Sequence, residues 1–587
     1  MSDEILTTID ELFAKYQFSI PNYQRSYAWE ETQLELFVED LRHQIKTQAV
    51  DVKKPYFIGT LLLHNKYSQY SYQTVDIVDG QQRLTTTLIF IATALKEYAE
   101  IEDSDFIKSN YICHPEFEQK FKTITKDNNC FRSAILGIDN FDEAPDSQSS
   151  QKLIFARDYF CKHVKRHEWP AMINQLREAQ VLAYVIDDLS TATQIFEFQN
   201  DRGKKLTNLE AVKSFLMHNV HLNSKSASEN KLESIHSNFE SIFRDIEELS
   251  TYPRTPEEDS ILSYYCAAFI PWTDNEYLQP KKLIKKQINA LEHKGSEAIV
   301  SWINSFISNL KQTYKNVLNI YKSMDELSEF THLVILNRLA PFWPLLIKTY
   351  HEDDSNGKVQ FKNACLLMEK FSLKAYGLAN LRSNAGNSHL LWIAKKFDSS
   401  DHDWGYEWLF KELSNMSSWW DIPKRMKTNI QSPNFYNNSK QSALYILWRY
   451  ENYLRSGGNN QNQWSKLSWR DIVIPKNNAE KLSLEHIAAQ NNELSKHLVS
   501  WDVDDEAEFK DIALHRLGNL VLDSISSNSS KKDHAFNKKW QRLSESSTYL
   551  SQGELKKFIS PETNTWDIAA IKNRQRSLTM FIEEHWG

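Results

Sequence analysis

Two short stretches near the C-terminal end of the chain decide how the sequence is interpreted: residues 484–487 (LEHI) and residues 517–522 (LGNLVL). Both combine branched apolar residues with a few polar ones, a composition that fits short β-strands. Asn528 comes next, in a polar segment (NSSKK) where an asparagine readily begins a helix. The order predicts two strands and a helix, with an acid and a histidine on the first strand and an asparagine at the start of each later element.

This order of residue types suits the hydrolysis of a phosphodiester bond. The reaction needs an activated water and stabilisation of the charge on the phosphate and the leaving oxygen. Histidine is a common general base, and a carboxylate with an amide oxygen suits Mg²⁺ or Mn²⁺. The order is similar to that of the one-metal His-Me-finger (HNH) nucleases, and this resemblance implies their ββα-metal fold.

By that resemblance Glu485 is a metal ligand and His486 is the general base. Neighbouring residues of a regular strand point to opposite faces, so the strand is expected to end and bend there. Asn519 is expected to orient His486 through backbone hydrogen bonds, Asn528 to be the second metal ligand, and Lys539 to contact the scissile phosphate. Taken singly, the same residues also fit a surface acid–histidine pair, a turn and a helix cap.

Three polar segments stand out in the first part of the chain: residues 20–29 (IPNYQRSYAW), 78–84 (VDGQQRL) and 196–206, which contains NDRG. The second segment lies between a predicted strand and a predicted helix, and the free amides of a helix start attract phosphate. Its glycine permits a tight turn, its arginine can hold a phosphate by two hydrogen bonds, and its aspartate can hold Mg²⁺. A strand–turn–helix junction with solvated polar residues fits the same segment. No P-loop sequence occurs in the chain.

The strings I-P-x-Y-Q-R-x-Y-x-W, D-G-Q-Q-R and N-x-R-G resemble the N-terminal domain of the GmrSD family of modification-dependent (type IV) restriction systems. That domain is similar to the ParB/sulfiredoxin group and is associated with NTP binding and hydrolysis. The match covers about the first 215 residues. It implies a nucleotide site formed by Arg25, Asp79, Gly80, Gln81, Gln82, Arg83, Asn200, Arg202 and Gly203.

The C-terminal region, roughly residues 440–587, resembles the HNH-type nuclease domain of the same family. Shared residues beyond the catalytic ones include Trp566, Arg574 and Trp586. The family usually has H-I-x-P-Q, whereas this chain has H-I-A-A-Q with Ala489 in place of the proline. Proline would stiffen the turn after the base, so its absence is expected to loosen this loop without removing catalysis.

Composition bounds the class of protein. A chain of 587 residues with 41% hydrophobic residues is expected to form several domains. The net charge of −8 disfavours a protein that coats nucleic acid, although a metal and a local basic face still permit a nuclease. Five cysteines without a C-x-x-C spacing suit a reducing compartment. The longest apolar run, residues 84–95, is too short to cross a membrane, so a cytoplasmic protein without membrane association is expected.

The pattern of elements predicts a multidomain α+β protein that is predominantly helical. The resemblance implies a ParB-like α+β nucleotide domain over residues 1–215 and the nuclease domain over residues 465–587. Residues 216–455 are predicted to form a helical connecting region, with a flexible GGNNQNQ segment at 457–463. Predicted strands cover 56–64, 72–78 and 181–186, and a predicted helix covers 84–98. The middle region is expected to help the protein form a homodimer or grip DNA.

These features predict an NTP-regulated, Mg²⁺- or Mn²⁺-dependent DNA endonuclease of phage defence. By family resemblance its substrate is DNA with modified cytosine, either hydroxymethylated or glucosylated. Two alternatives remain open: a nuclease triggered by another modification such as phosphorothioate, and a ParB-like, nucleotide-switched DNA-binding protein with an inactive nuclease centre.

Overall fold

The computed structural model describes residues 3–21, 24–48, 56–66, 73–98, 100–114, 119–139, 147–187, 207–224, 228–457, 465–473, 481–488, 509–524, 543, 548–559 and 566–587. Within them the protein is mostly helical with two small sheets, which confirms the predicted α+β class. Packing divides the chain into two units, Met1–Glu247 with Leu278–Tyr314 and Glu248–Tyr277 with Lys315–Gly587. The predicted site residues outside the described part of the chain are Asn200, Arg202, Gly203, Asn528 and Lys539.

The first unit contains a six-stranded mixed sheet in the order β1-β6-β3-β4-β2-β5. β3 lies parallel to β6 and antiparallel to β4, while β4 lies parallel to β2. The three predicted strands correspond to β3, β4 and β6. The strands are β1 Asp3–Thr8, β2 Tyr16–Ser19, β3 Phe57–Lys66, β4 Gln73–Asp79, β5 Phe121–Lys122 and β6 Gln180–Ile186.

Helices pack against one face of this sheet through the main hydrophobic cluster. The helices that precede β6 are Ile9–Lys15, Glu31–Gln48, Gln81–Glu97, Ser104–Ile107, Thr125–Cys130, Gln148–His163 and Trp169–Arg177, with π-helices Lys108–Ile112 and Phe131–Leu136 and a 3₁₀ turn Arg166–Glu168. Asn208–Asn223, Ser228–Leu249, Pro280–Asn289 and Ser296–Lys322 follow along the chain, with a 3₁₀ turn Glu292–Lys294.

Strand alternation explains the core of this unit. Leu61 and Leu63 of β3 and Ile77 of β4 are buried in the main cluster, whereas Leu62 and Val78 belong to a smaller cluster on the other face. The Gln81–Glu97 helix crosses the main cluster. The hydroxyls of its buried Thr86, Thr87 and Thr93 donate to the carbonyls four residues earlier, at 2.9, 3.0 and 2.7 Å. These three hydroxyl groups therefore enter the core with their hydrogen bonds satisfied.

The second unit is helical apart from the antiparallel pair β7 Leu482–His486 and β8 Leu520–Ser524. Its α-helices are Glu258–Phe269, Ser328–Leu336, Trp343–Glu352, Val359–Phe371, Asn387–Lys396, Tyr406–Met416, Ile422–Ile430, Phe435–Ser456, Arg470–Val473, Leu550–Gly553 and Ile568–Trp586. Its π-helices are Ser372–Leu378 and Lys510–Leu514, and its 3₁₀ turns are Glu276–Leu278, Ala340–Phe342, Trp419–Asp421, Leu517–Asn519 and Glu554–Lys557.

One hydrophobic cluster of this unit joins the Phe435–Ser456 and Ile568–Trp586 helices to β7 and β8. Leu484 from β7, Leu522 from β8 and Phe581 from the last helix are all buried in it. The two strands are therefore held by long helices as well as by their own hydrogen bonds. No helix among the described residues is both long enough and apolar enough to cross a membrane.

Candidate active site and nucleotide-site region

The candidate catalytic residues lie where β7 ends. Glu485 pairs with Val521 of β8 and His486 pairs with Leu520, so both stand at the last two positions of the ladder. Their side chains are buried, with 7% and 5% of their surfaces exposed. The chain leaves the strand at Ile487, whose N–H donates to the carbonyl of Asn519 at 2.9 Å. The strand thus stops directly after the acid–histidine pair.

Asn519 fixes the backbone that follows His486. Its Oδ1 accepts hydrogen bonds from the N–H of Ala488 at 3.0 Å and from Nε1 of Trp566 at 3.1 Å. Its Nδ2 donates to the carbonyl of Leu514 at 2.8 Å. The side chain is fully buried, and only a carboxamide both donates and accepts in this way. The residue therefore ties together the ends of three segments around the histidine.

Gly518 is required by a close approach of the last helix. A Cβ atom at this position would lie 2.2 Å from the carbonyl oxygen of Ile571. The N–H of Gly518 donates to Oε1 of Gln575 at 2.7 Å, and Nη1 of Arg574 donates to the carbonyls of Gly518 at 2.8 Å and Leu520 at 2.6 Å. Burial lowers the pKa of Arg574 to about 10. Arg574 thus holds the backbone on both sides of Asn519.

A second histidine, His515, stands beside His486. Nε2 of His486 lies 3.3 Å from Nδ1 of His515, and Tyr436 contacts both rings, edge-on to His486 and stacked on His515. The N–H of Tyr436 also donates to the carbonyl of His515 at 2.9 Å. Burial lowers the pKa of His515, which favours its neutral form. His515 is not among the residues predicted from the sequence, where its signal is a histidine four residues before Asn519 in HRLGN.

The structure brings Glu485, His486 and Asn519 together, while Asn528 and Lys539 lie outside the described residues. No group of three or more His, Cys, Asp and Glu side chains arranged for a metal ion occurs in the part of the chain that is described. The carboxylate of Glu485 is a hard oxygen donor of the kind that Mg²⁺ and Mn²⁺ prefer. Glu485 would supply one such ligand, and the predicted second ligand is Asn528.

In the first unit, Arg83 joins the start of its helix to β3. Its Nη1 donates to the carbonyl of Ile58 at 3.0 Å and its Nη2 to the carbonyl of Thr60 at 2.9 Å. Between them Gly59 has φ of +122°, and a Cβ atom there would lie 1.8 Å from Nη1 of Arg83. Glycine therefore makes room for the guanidinium group, whose donors on both terminal nitrogens bond the backbone.

The two glutamines of DGQQR hold the segment that contains Arg25. Oε1 of Gln82 accepts from the N–H of Ala28 at 2.9 Å, and its Nε2 donates to the carbonyl of Ser26 at 3.1 Å. Nε2 of Gln81 donates to the carbonyl of Arg25 at 3.2 Å. Together these bonds attach the IPNYQRSYAW segment to the start of the Gln81–Glu97 helix.

Gly80 begins that helix in a left-handed conformation, with φ of +89°. A Cβ atom there would lie 2.2 Å from Cδ2 of Leu61, so the position requires glycine for space as well as for conformation. Burial raises the pKa of the preceding Asp79, and the charge of Arg83 opposes this effect. A positive charge nearby favours the ionised form of such a buried acid.

Charged and polar residues from the Asn208–Asn223 helix and its N-terminal flank lie beside Arg25. Nε of Arg25 lies 2.8 Å from Oε1 of Glu210, and its Nη2 donates to the hydroxyl of Thr207 at 2.9 Å. Lys213 follows one turn after Glu210, and burial lowers its pKa to about 7. Thr207, Glu210 and Lys213 are not among the residues predicted from the sequence, although they lie four to ten positions after the NDRG string.

Comparison with protein families assigns both regions. The family model described as "GmrSD restriction endonuclease, N-terminal domain" matches residues 9–217, and the model described as "GmrSD restriction endonucleases, C-terminal domain" matches residues 420–581. The chain belongs to the GmrSD family of restriction endonucleases. The predicted family resemblance is thereby confirmed. A search of curated proteins finds no match.

The GmrSD matches enclose both groups of residues described above. The N-terminal match contains the DGQQR segment together with Arg25 and Lys213, and the C-terminal match contains His486 and Asn519. As a GmrSD restriction endonuclease the protein is a nuclease, and DNA is its class of substrate. The intervening residues, 218–419, lie outside both matches.

Proposed function

We propose that this GmrSD protein cleaves DNA with His486 as the general base that deprotonates the attacking water. The observation that carries the proposal is the fixed end of β7, where His486 stands beside Glu485 and Asn519 holds the next backbone segment. A base must be held within hydrogen-bond reach of the proton that it removes. The contact with His515 restrains the imidazole ring, so His515 acts as a positioning residue.

Glu485 and Asn528 would hold the Mg²⁺ or Mn²⁺ ion, and Lys539 would contact the scissile phosphate. When bound, the cation stabilises negative charge on the phosphate and on the leaving oxygen. The antiparallel pair β7–β8 supports this assignment, because a helix that begins at Asn528 would complete a ββα-metal fold. The hard oxygen donors in this set favour Mg²⁺ and Mn²⁺ over softer metals.

The first unit would bind and hydrolyse an NTP in a ParB-like domain. Support comes from the charges beside the helix that begins at Gln81: Arg25 and Lys213 are suited to phosphate oxygens, and Asp79 is suited to a nucleotide-bound cation. Gly80 and Gln81 stand at the helix start, where backbone amides attract anions.

Asn200, Arg202 and Gly203 would complete that nucleotide site. Gln82 and Arg83 already bond the backbone, so they would position the site rather than contact phosphate. This division of roles separates residues that bind the nucleotide from residues that hold the surrounding scaffold, and the two groups should respond differently to substitution.

The substrate would be invading phage DNA whose cytosines are hydroxymethylated or glucosylated, met in the cytoplasm. Membership of a restriction endonuclease family supports DNA as the substrate, and the sequence resemblance to modification-dependent systems supports the modified base. Binding or turnover of NTP in the first unit would license or stop the cut, and a homodimer would allow both strands to be cut.

The test is cleavage of matched DNAs by the purified full-length chain. DNA with glucosylated hydroxymethylcytosine, DNA with hydroxymethylcytosine and unmodified DNA are incubated with Mg²⁺, with EDTA, and with or without NTP. Selective, Mg²⁺-dependent cutting of a modified DNA that changes with NTP is expected. Equal cutting of all DNAs would reject the modification trigger. Absence of cutting, with cutting of phosphorothioate DNA in parallel, would support the alternative trigger.

A further inference from the structure

The second unit contains a cavity of about 490 Å³ that neither candidate site uses. It is lined by residues within 324–332, 448–456, 466–469 and 581–585. Its volume lies in the range of sites for small ligands, about 300–1,000 Å³. The segment Phe435–Ser456 contributes to both places: Tyr436, near its start, contacts His486, and Trp448, beyond a break in the helical geometry at Ser439, lines the cavity.

Aromatic rings form much of the cavity wall. The Tyr453 and Phe581 rings lie 5.3 Å apart, and His585 lies 5.4 Å from Tyr453 and 4.3 Å from Phe581. Trp448 and His332 form a second ring pair at 5.5 Å. Tyr453 is 45% exposed, so this wall is open to a molecule that approaches from solvent. Such surfaces suit a planar base, because bases stack on aromatic side chains.

Arg449 adds a fixed hydrogen-bond donor. Its Nη1 lies 3.1 Å from Nδ1 of His332, 2.9 Å from the hydroxyl of Tyr445 and 3.7 Å from Oε1 of Glu369. The buried Glu369 also accepts from the hydroxyl of Tyr445 at 2.6 Å and from Nε1 of Trp586 at 2.8 Å. This network holds the guanidinium group in one place.

The hydrogen bonds of Arg449 leave two nitrogens of its guanidinium group, Nε and Nη2, available for a ligand. Every hydrogen bond and ion pair that it makes with described residues involves Nη1. Neither Nε nor Nη2 donates a hydrogen bond to another described residue, and the guanidinium group lies over the Trp586 ring, 5.1 Å from its centre. Since Arg449 lines the cavity, these groups are suited to the acceptor atoms on the edge of a pyrimidine.

We propose that this cavity binds a cytosine with a hydroxymethyl or glucosyl substituent after the nucleotide has rotated out of the DNA duplex. The proposal rests on the proposed function, since it names the place where the modified base is read. The base stacks on the wall that contains Tyr453 and accepts hydrogen bonds from Arg449. Ser328 and Lys466, at exposed positions of the lining, meet the substituent hydroxyls or the flanking phosphates.

Glu485, His486 and Asn519 do not line the cavity. Recognition of the base and cleavage are therefore separable, and a binding measurement tests the cavity without the chemistry.

The test uses full-length protein with His486→Ala, so that DNA is bound without being cut. Binding is measured by fluorescence anisotropy on a duplex with one glucosylated hydroxymethylcytosine and on an unmodified duplex of the same sequence. The ratio of the two Kd values is then compared among the variants. Tyr453→Ala removes a stacking surface and Ser328→Trp fills the cavity. Trp420→Ala removes an aromatic ring that is 47% exposed and outside the cavity, and serves as control.

Both cavity variants are expected to reduce the preference for modified DNA by roughly tenfold or more, as loss of base stacking implies. Their affinity for the unmodified duplex should stay unchanged. The Trp420→Ala control should keep the ratio of the two Kd values. If both cavity variants keep the preference of the His486→Ala protein for modified DNA, the cavity assignment is overturned and the proposed function stands. A parent that binds both duplexes equally would reject the modified-base function and this proposal with it.

Discussion

Nε2 of His486 lies 3.3 Å from Nδ1 of His515, at the point where β7 ends. One of these two nitrogens must donate and the other must accept, so the contact fixes the tautomers as a pair. Tyr436 packs against both rings and limits their rotation. The arrangement gives the candidate base a defined orientation before DNA arrives.

Replacement of His515 should therefore impair cleavage through His486. We expect His515→Ala to lower the cleavage rate by about tenfold to a hundredfold, which is less than the 10²–10⁴ expected for loss of the base itself. DNA binding should be unchanged, and the pH–rate profile should shift because the environment of His486 has changed. A rate and a pH profile equal to those of wild type would show that His515 has no positioning role.

Asn519→Leu should weaken both folding and cleavage. The variant keeps a similar volume but leaves the N–H of Ala488 and the carbonyl of Leu514 buried without their partner, at a cost of about 1–3 kcal/mol for each group. Thermal unfolding and cleavage are measured on the same preparation. Asn437→Ala, at an exposed position, is the matched control. Wild-type stability of Asn519→Leu would contradict the hydrogen-bond network.

Two glycines give a paired test of packing around the active site. Gly518→Ala places a methyl group 2.2 Å from the carbonyl oxygen of Ile571, so the last helix must move, and a loss of about 1–3 kcal/mol or more is expected. Gly553→Ala meets no atom within 4 Å and has a helical φ of −59°, so it should be neutral or stabilise by up to about 1 kcal/mol. The denaturation midpoint of Gly518→Ala should fall below that of wild type, and the midpoint of Gly553→Ala should equal or exceed it.

Lys213→Met separates nucleotide binding from stability. Burial lowers the pKa of Lys213 to about 7, below the usual value near 10.4, so the charged form is disfavoured in the folded state. The folded protein should gain stability from the substitution at neutral pH, and this gain should shrink as the pH rises toward 10. NTP binding should be lost if Lys213 contacts phosphate. The exposed Lys162→Met variant is the control, and unchanged nucleotide affinity would remove Lys213 from the site.

His332, which lines the cavity, should make the stability of the fold depend on pH. Burial and the charge of Arg449 lower the pKa of His332 to about 3, from about 6.5 in an unfolded chain. Between these values the unfolded chain binds a proton that the folded chain does not, so stability falls as the pH falls from about 6.5 toward 3. His332→Gln should reduce this slope by up to about 1.4 kcal/mol per pH unit. The exposed His402→Gln should leave the slope unchanged.

Local patterns predicted the elements that carry the candidate sites. Apolar alternation identified β3, β4 and β6, and the helix predicted for 84–98 occurs at Gln81–Glu97. It begins earlier because Gly80 takes a left-handed conformation that starts the helix directly after β4. The strand position of Glu485 and His486 likewise follows from local sequence.

Local sequence patterns do not predict contacts between residues that lie far apart in the sequence. His515 reaches His486 across 29 residues, and no spacing rule connects two histidines in separate segments. The hydrogen bonds of Arg83 depend on the shift of strand register at Gly59, which arises where β3 pairs with β6. The cavity around Arg449 is assembled from four separate segments, so its existence depends on how the helices pack.

The most direct test of the account is DNA cleavage by wild-type protein and His486→Ala under identical conditions. Both are incubated with Mg²⁺, NTP and DNA that contains glucosylated hydroxymethylcytosine, and DNA binding is measured in parallel. If His486 is the general base, wild type cuts and the cleavage rate of the variant falls by about 10²–10⁴, with DNA and NTP binding retained. Cleavage by His486→Ala at the wild-type rate would contradict the assignment of the catalytic centre to the end of β7.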